Sequence, residues 1–222
     1  MSPRTLAIRE NILGANSRQA DSNRKRLDGS RAVMLNVLSS PGSGKTSLIL
    51  RAIDRLKARA GIAVIEGDVA SSIDADRVRL AGVPAVQINT GGGCHLDALM
   101  VGKALDELDL GHIDLIFVEN VGNLVCTADF DLGAHKNVAV LSVPEGDDKP
   151  FKYPVVFAGA DAVVVNKIDV APYFDFKLDG FPRIIGGMNP AAKVFAVSAR
   201  TGEGLDGWFS WIEETLKQRS GI

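Results

Sequence analysis

Short apolar runs alternate with amphipathic stretches along most of the chain. The first apolar run, RAVMLNVLS at residues 31–39, predicts a buried strand. The next stretch, residues 44–60, repeats apolar side chains on one helical face and predicts a helix. The alternation continues, with strands predicted in GIAVIEGD, PAVQINT, IDLIFVEN, VAVLSVPEG, ADAVVVNKID and AKVFAVSA, and helices predicted at residues 71–82, 95–111 and 204–220.

This order of elements predicts an α/β fold. About seven strands that alternate with helices indicate a mostly parallel sheet with helices on both faces. Ligands of such sheets bind beyond the carboxyl ends of the strands, so we look for chemistry in the loops that follow them. Residues 5–31 are polar with few apolar positions and predict a surface helix that packs weakly. We expect an N-terminal polar helical segment over residues 1–30 and one domain over residues 31–222.

Composition and charge argue against several classes of protein. A chain of 222 residues with 46% hydrophobic side chains can bury one sizeable core. A formal net charge of −2 argues against a nucleic-acid binder that relies on bulk positive charge. No apolar run is long enough for a membrane span and no apolar signal core begins the sequence, so we expect a cytoplasmic protein. Two cysteines do not make a disulfide scaffold, which fits a reducing compartment.

The loop after the first strand, SSPGSGKTS, is typical of a phosphate-binding loop. Its glycines let backbone N–H groups approach phosphate oxygens between a strand and a helix. Lys45 would reach the β- and γ-phosphates, and the Thr46 hydroxyl would bind Mg²⁺. Ser39 stands where the strict pattern has glycine, and the alternative is a glycine-rich turn before a helix. The loop residues predicted to contact the nucleotide are Gly42, Ser43, Gly44, Lys45, Thr46 and Ser47.

Three carboxylates compete for a place beside the bound phosphates. Glu119 ends the strand IDLIFVEN, and the segment ENVG takes the position of the Asp-x-x-Gly segment of familiar G proteins. Asp68 ends the strand GIAVIEGD, and Asp74 follows it. The sequence leaves open which of them binds Mg²⁺, and each could equally be a solvated acid at a strand end. We assign the catalytic roles to Lys45, Glu119 and Asp68, and the Mg²⁺ ligands to Thr46, Glu119 and Asp68.

A second pattern at a strand end indicates which base is bound. Asn166, Lys167 and Asp169 close the strand ADAVVVNKID. A carboxylate at Asp169 can accept hydrogen bonds from the N1–H and the exocyclic amine of guanine, and adenine lacks this pair of donors. Ser198 and Ala199, after the next strand, would support the same base. The alternative is a strand-end turn with surface charges, but downstream of a phosphate loop the pattern predicts GTP and GDP.

An adjacent cysteine and histidine follow three glycines in GGGCHLDALM. Cys94 is expected at the N terminus of a helix, where the helix dipole favours the thiolate. Together with His95 and with Cys126, which follows the ENVG segment, it offers thiolates and an imidazole. This ligand set suits Zn²⁺, Ni²⁺ or Cu²⁺ and disfavours Mg²⁺. Because structural zinc normally takes four ligands, we expect a water or a second chain to complete the site.

Less specific interpretations of these cysteines and histidines stay open. Cys126 could be a buried core cysteine, Cys94 and His95 could be a nucleophile and its base, and the two cysteines could form a disulfide. His112 and His135 show no partner pattern, so we interpret both as surface histidines.

Together these motifs resemble the HypB family of hydrogenase nickel-incorporation GTPases, from about residue 8 to the end. The family motifs appear in order as SSPGSGKTSL, IEGDVASSIDADR, GGGCHLDA, VENVGNLVC, DFDLGAHKNVAVLSVPEGDDKPFKYP, NKIDVAPYFDFKLD and SARTGEGLDGW. Ser39 looks normal for this family. The resemblance implies a metal-binding GTPase of the dimer-activated P-loop class that helps to deliver Ni²⁺ to the large subunit of [NiFe]-hydrogenase. Its metal residues correspond to Cys94, His95 and Cys126.

The resemblance also implies partners. They are a second copy of the chain, in a homodimer linked to GTP and metal, the nickel metallochaperone HypA and the precursor of the hydrogenase large subunit. Lys149 is a candidate contact across the dimer, and Val170 and Phe174 look like part of the dimer face, with ordinary packing as the alternative.

No glutamine occupies the usual water-orienting position, so we expect slow GTP hydrolysis. The other candidates are a urease-type nickel GTPase, although its motif is Cys-Pro-His, a regulatory GTPase stabilised by zinc, and a small-molecule kinase.

Overall fold

A seven-stranded parallel sheet forms the centre of the molecule. It lies within residues 8–68 and 78–220, which the computed structural model describes, and its strand order is β3-β2-β4-β1-β5-β6-β7. Every neighbouring pair of strands is parallel, so the predicted fold class is confirmed. The strands are β1 (Val33–Ser39), β2 (Ile62–Asp68), β3 (Ala85–Asn89), β4 (Leu115–Glu119), β5 (Lys136–Ser142), β6 (Ala162–Asn166) and β7 (Lys193–Ala196).

Helices cover both faces of this sheet. On one face α2 and α7 pack against a core to which all seven strands contribute, β3 and β7 through the partly buried Ala85 and Phe195. On the other face α1 and α3 cover β1, β2 and β4, while α5 and α6 cover β5 and β6. None of the helices in the described ranges has both the length and the apolar character that crossing a membrane requires. The helices are α1 (Ile8–Asp28), α2 (Lys45–Leu56), α3 (Ala98–Asp106), α4 (Lys149–Lys152), α5 (Pro154–Ala158), α6 (Phe181–Met188) and α7 (Leu205–Ser220).

The central strands explain why apolar runs predicted the sheet so directly. Every residue of β1, β4 and β6 is buried, because a parallel strand with helices on both faces exposes neither side. The predicted helix over residues 71–82 falls mostly outside the described ranges, and only residues 78–80 are described there as helical.

The N-terminal helix α1 packs more tightly than the sequence predicts. Leu27 is fully buried against the sheet. The buried Asn23 amide donates hydrogen bonds to the carbonyls of Ala98, at 2.7 Å, and Leu132, at 3.1 Å. Asn16 accepts a hydrogen bond from the N–H of Ala98 at 2.8 Å. The expectation of a weakly packed helix is therefore wrong, because asparagines that read as surface residues bind the backbone of α3 and its neighbours.

The two histidines outside the predicted metal site differ from each other. The His112 side chain is 86% exposed, as predicted. The His135 side chain is only 14% exposed, so its prediction as a surface residue is wrong. Its Nδ1 accepts a hydrogen bond from the N–H of Met34 at 3.0 Å, and its Nε2 lies 3.5 Å from Asp28. Burial, together with the charge of Arg219, lowers the pKa of His135.

Candidate functional site

The phosphate loop connects β1 to α2 at the carboxyl edge of the sheet. Gly42 and Gly44 have φ angles of +77° and +98°, which favour glycine. A Cβ at Gly44 would overlap with the side-chain amide of Asn166, so this position has no room for a larger residue. The buried Lys45 Nζ donates to the Ser39 hydroxyl at 2.8 Å, which gives the unusual serine a role in holding the lysine. Ser43 is fully buried, and Ser47 is half-buried in the first turn of α2.

An oxygen-rich site lies at the start of α2. The Thr46 hydroxyl donates to Glu119 Oε1 at 2.8 Å, and both residues are buried. Glu66 pairs in register with Glu119 across β2 and β4, and it is only 3% exposed. A hydroxyl beside two neighbouring carboxylates is a donor set that fits Mg²⁺. Glu66 is absent from the predicted site residues, and the signal that could have revealed it is a carboxylate in the interior of the apolar run GIAVIEGD, two residues before Asp68.

The two competing carboxylates on β2 and after it are not placed as ligands. Asp68 ends β2 and pairs in register with Asn89, and its side chain lies outside the described part of the chain. Asp74 also lies outside the described residues. The catalytic and Mg²⁺ roles of Asp68 therefore stay predictions.

The segment after β4 lies directly against the phosphate loop. A Cβ at Gly122 would come within 3.0 Å of Pro41, so only glycine allows this approach. The backbone N–H of Asn120 donates to the carbonyl of Val37 in β1 at 3.1 Å. This segment therefore packs against both β1 and the loop that follows it.

The residues predicted to bind the base are hydrogen-bonded to the phosphate loop within the chain itself. The buried Asn166 donates to the carbonyl of Ser43 at 2.9 Å and accepts from the N–H of Ala199 at 3.0 Å. Lys167 has a φ angle of 63°, unusual for a residue other than glycine, and it donates to the carbonyl of Gly42 at 2.6 Å. These bonds tie the end of β6 to the loop after β1.

The carboxylate predicted to read guanine is oriented by a neighbouring hydroxyl. Ser198, which is fully buried, donates to Asp169 Oδ1 at 2.6 Å. Asp169 itself is half-buried at the edge of the site. The N–H of Ala199 donates to Asn166 in the same way, so the residues that follow β6 and β7 are joined next to the phosphate loop, and their role in binding a base stays a prediction.

The structure brings Cys94 and Cys126 together from two different loops. A hydrogen bond between the two thiols, followed by burial, raises the pKa of Cys126 above its ordinary value. His95 Nδ1 lies 3.7 Å from Cys94 Sγ, and the His95 ring stacks on Phe130 with centroids 3.8 Å apart. Within the described ranges no three His, Cys, Asp or Glu side chains converge on a common point. The thiols and the imidazole suit a soft or borderline cation. In the described residues they contact one another in pairs and do not yet form a three-ligand cluster.

Cys94 does not lie at a helix N terminus. Helix α3 begins at Ala98, and Asp97 caps it by accepting a hydrogen bond from the N–H of Met100 at 2.7 Å. Because the aspartate is the better cap, the chain through Cys94 and His95 remains a loop. The prediction that Cys94 lies at the N terminus of this helix is therefore wrong.

The residues predicted to form a dimer face have contacts within the chain. Lys149 Nζ lies 3.9 Å from Glu145 and 5.3 Å from the centre of the Tyr153 ring. Val170 packs against the core between β5, β6 and α6, while Phe174 is exposed. Their role between two chains stays a prediction.

Comparisons with known proteins agree with this geometry. The family model for the CobW/HypB/UreG nucleotide-binding domain matches residues 33–196. The hydrogenase maturation factor HypB of Azotobacter vinelandii is 53% identical over 210 residues, which cover 95% of this chain and 69% of that protein. The crystal structure of HypB from Helicobacter pylori in complex with nickel has a TM-score of 0.87 and 38% identity, over 92% of this chain and 96% of that one.

A second solved structure gives the same match. The crystal structure of HypB from Archaeoglobus fulgidus has a TM-score of 0.85 and 39% identity, over 91% of this chain and 99% of that one. The residues matched by the family model include the phosphate loop, the end of β6 and both cysteines. The chain belongs to the HypB family of hydrogenase maturation factors, within the CobW/HypB/UreG nucleotide-binding proteins.

Proposed function

We propose that this protein is a GTP hydrolase whose nucleotide state controls a nickel site, and that it assists nickel insertion into [NiFe]-hydrogenase. One observation carries the proposal. The single segment 119–126 begins at Glu119, which accepts a hydrogen bond from Thr46 of the phosphate loop. It ends at Cys126, whose thiol is hydrogen-bonded to that of Cys94. A change in the nucleotide therefore acts on a segment that also bears a metal-binding thiol.

The nucleotide chemistry follows from the phosphate end of the site. Lys45 and the backbone N–H groups of the loop stabilise negative charge on the phosphoryl group that is transferred to water. Thr46 and Glu119 would hold Mg²⁺, with Glu66 beside them. The bound ion would neutralise negative charge on the phosphates. Asp68 remains our second candidate for a catalytic carboxylate. With no glutamine in the water-orienting position, we expect slow turnover that suits a switch.

The preference for guanine follows from the second half of the site. Asp169 is oriented by Ser198 so that its free oxygen can face a base. Asn166 and Lys167 join the base pocket to the phosphate loop. We therefore propose GTP and GDP as the nucleotides that this site binds.

The cargo that we propose is Ni²⁺, with Zn²⁺ as the competing ion. Cys94, His95 and Cys126 supply soft and borderline donors, and the similar Helicobacter pylori protein is described in complex with nickel. One chain offers three donors, so a second copy of the chain can complete the site. Phe174, which is exposed, and Val170 are proposed to form part of that dimer face, with Lys149 reaching across it.

The partners that we propose follow from membership of the family. HypA would exchange nickel with the cysteine and histidine site, and the precursor of the hydrogenase large subunit would be the final recipient. Because both thiols must be reduced to bind metal, we place this activity in the cytoplasm.

Metal analysis and mass measurement in two nucleotide states test the proposal. The wild type, the Cys94→Ala/Cys126→Ala variant and the control His112→Ala are each saturated with GDP or with a non-hydrolysable GTP analogue. We expect metal content to fall only in the double cysteine variant, and the dimer fraction of the wild type to rise with the analogue. Equal metal content in all three proteins, or a dimer fraction that ignores the nucleotide, would refute it. GTP hydrolysis without any phosphate acceptor would exclude a kinase.

A further inference from the structure

The buried Asn120 connects the segment that follows β4 with the residue that follows Cys94 and His95. It is 1% exposed and directly follows Glu119. Its Oδ1 accepts hydrogen bonds from the N–H of Leu96 at 3.3 Å and from the N–H of Val121 at 2.9 Å. Leu96 is the residue after His95, so one side chain joins the segment beside the phosphates to the loop that bears the metal ligands.

The orientation of the Asn120 amide is determined by its neighbours. Two backbone N–H groups can only donate, so the atom that faces them must be the oxygen. The amide nitrogen then donates to Asn36 Oδ1 at 3.1 Å, and the Asn36 nitrogen donates to Asn137 Oδ1 at 3.0 Å. Three side-chain amides thus form a row of hydrogen bonds from the end of β4 across β1 to β5, in which each amide donates to the next. Among the contacts of the described residues, Asn120 is the member of this row that is bonded to Leu96, after Cys94 and His95.

The residues at both ends of this connection, Leu96 and Gly122, are closely packed against their neighbours. A Cβ at Gly67 would come within 2.7 Å of Leu96, which is fully buried, so the Leu96 side chain fills the space against β2. On the other side, Gly122 already touches Pro41 of the phosphate loop. A displacement of the segment after Glu119 therefore reaches Leu96 through a hydrogen bond instead of being absorbed by empty space.

We infer that Asn120 is the positioning residue that transmits the nucleotide state to the metal loop. When the segment from Glu119 to Gly122 moves relative to the phosphate loop, the Asn120 oxygen moves relative to the N–H of Leu96. The placement of Cys94 and His95 before α3 changes with it. This inference rests on the proposed function, because it concerns how the two proposed sites communicate.

The test compares metal affinity between two nucleotide states. Dissociation constants for Ni²⁺ and Zn²⁺ are measured by competition with a chelating dye, for the full chain saturated with GDP or with a non-hydrolysable GTP analogue. For the wild type we expect the two states to differ by about fivefold or more, the lower end of typical coupling. In Asn120→Leu, which has similar volume and no acceptor, we expect the ratio to fall to one. By linkage, Ni²⁺ then ceases to change the affinity for the analogue as well.

Two further variants separate positioning from mere stability. Asn120→Asp keeps an oxygen that accepts from both backbone N–H groups, and the Asn36 amide can turn to donate to the second carboxylate oxygen, so the ratio should be retained. Asn137→Ser breaks the same amide chain at its far end without touching either loop. It should lower the unfolding midpoint and leave the ratio unchanged.

Each outcome decides the matter. A wild-type ratio in Asn120→Leu, or a ratio of one in Asn137→Ser, would overturn the role of Asn120 and leave the proposed function standing. A ratio of one in the wild type itself would overturn the nucleotide-linked metal site and this inference with it. If Asn120→Leu does not fold, Asn120→Ser replaces it, because its hydroxyl is too short to reach Leu96, and the same loss of the ratio is expected.

Discussion

Replacing Asn166 with alanine should separate the base pocket from the phosphate loop. Its amide makes two buried hydrogen bonds, to the carbonyl of Ser43 at 2.9 Å and from the N–H of Ala199 at 3.0 Å. Each backbone group left unpaired costs about 1–3 kcal/mol. Water can enter past the exposed Gly42 and rehydrate part of the gap, so we take the lower range, about 2–4 kcal/mol in total. In the variant the loop relaxes away from this geometry in the free protein and GDP must restore it, so the cost falls on the bound form and weakens GDP binding by about 30- to 1,000-fold.

The assay is a titration with a fluorescent GDP analogue, combined with urea unfolding of the same protein. The chain provides a matched control in Asn189, whose amide donates to the carbonyls of Ala158, at 2.9 Å, and Ala160, at 2.8 Å, beyond the end of α6. Asn189→Ala removes a comparable set of bonds away from the site. We expect it to lower the free energy of unfolding and to leave GDP affinity unchanged.

Two results would refute the reasoning. One is GDP affinity in Asn166→Ala within about threefold of the wild type, a difference of less than about 0.7 kcal/mol. The other is equal weakening of GDP binding by Asn166→Ala and Asn189→Ala, because the effect would then follow from general destabilisation and not from the link between β6 and the phosphate loop.

Three further predictions follow from the same contacts. Asp169→Asn should shift preference from GTP toward xanthosine triphosphate in a competition assay, and unchanged GTP preference would contradict the base assignment. Thr46→Val removes the hydroxyl bonded to Glu119, so Mg²⁺-dependent GTP hydrolysis should fall by about tenfold or more; normal rates would exclude this Mg²⁺ site. The lowered pKa of His135 means that the unfolded chain binds its proton more readily, so stability is lost as pH falls below about 6.5. Urea midpoints at about pH 7.5 and 5.5 should differ less in His135→Asn than in the wild type, and an equal flattening in His112→Asn would contradict this cause.

The fold was largely predictable because its signals are local and repeated. A parallel strand covered on both faces is apolar at nearly every position, so β1, β4 and β6 stand out as short runs. The phosphate loop was predictable for the same reason, since glycines with positive φ angles and a following helix leave a contiguous motif. The base motif also lies within one short stretch, although its bonds to the phosphate loop do not.

The features that escaped prediction are buried polar side chains with distant partners. Asn23 and Asn120 bond backbone groups 75 and 24 residues away in the sequence. Glu66 is buried beside Glu119 only because β2 and β4 are neighbours in the sheet. His135 fills a site formed by the ends of α1 and α7. A hydropathy pattern counts each of these as a surface residue, and no periodicity in the sequence reveals the partner.

The two candidate sites differ in how far a single chain prepares them, and this difference fits the proposal that the protein hands on its metal. The nucleotide site is bonded together in advance, with Lys45 held by Ser39 and Asn166 held against Ser43. At the metal site, by contrast, the free thiols of Cys94 and Cys126 form a hydrogen bond with each other, and the His95 ring is stacked on Phe130. Metal binding must break that thiol contact and reorient the ring, which lowers the affinity of one chain for the ion. A second copy, brought by GTP, would supply the missing donors, and GTP hydrolysis would remove them.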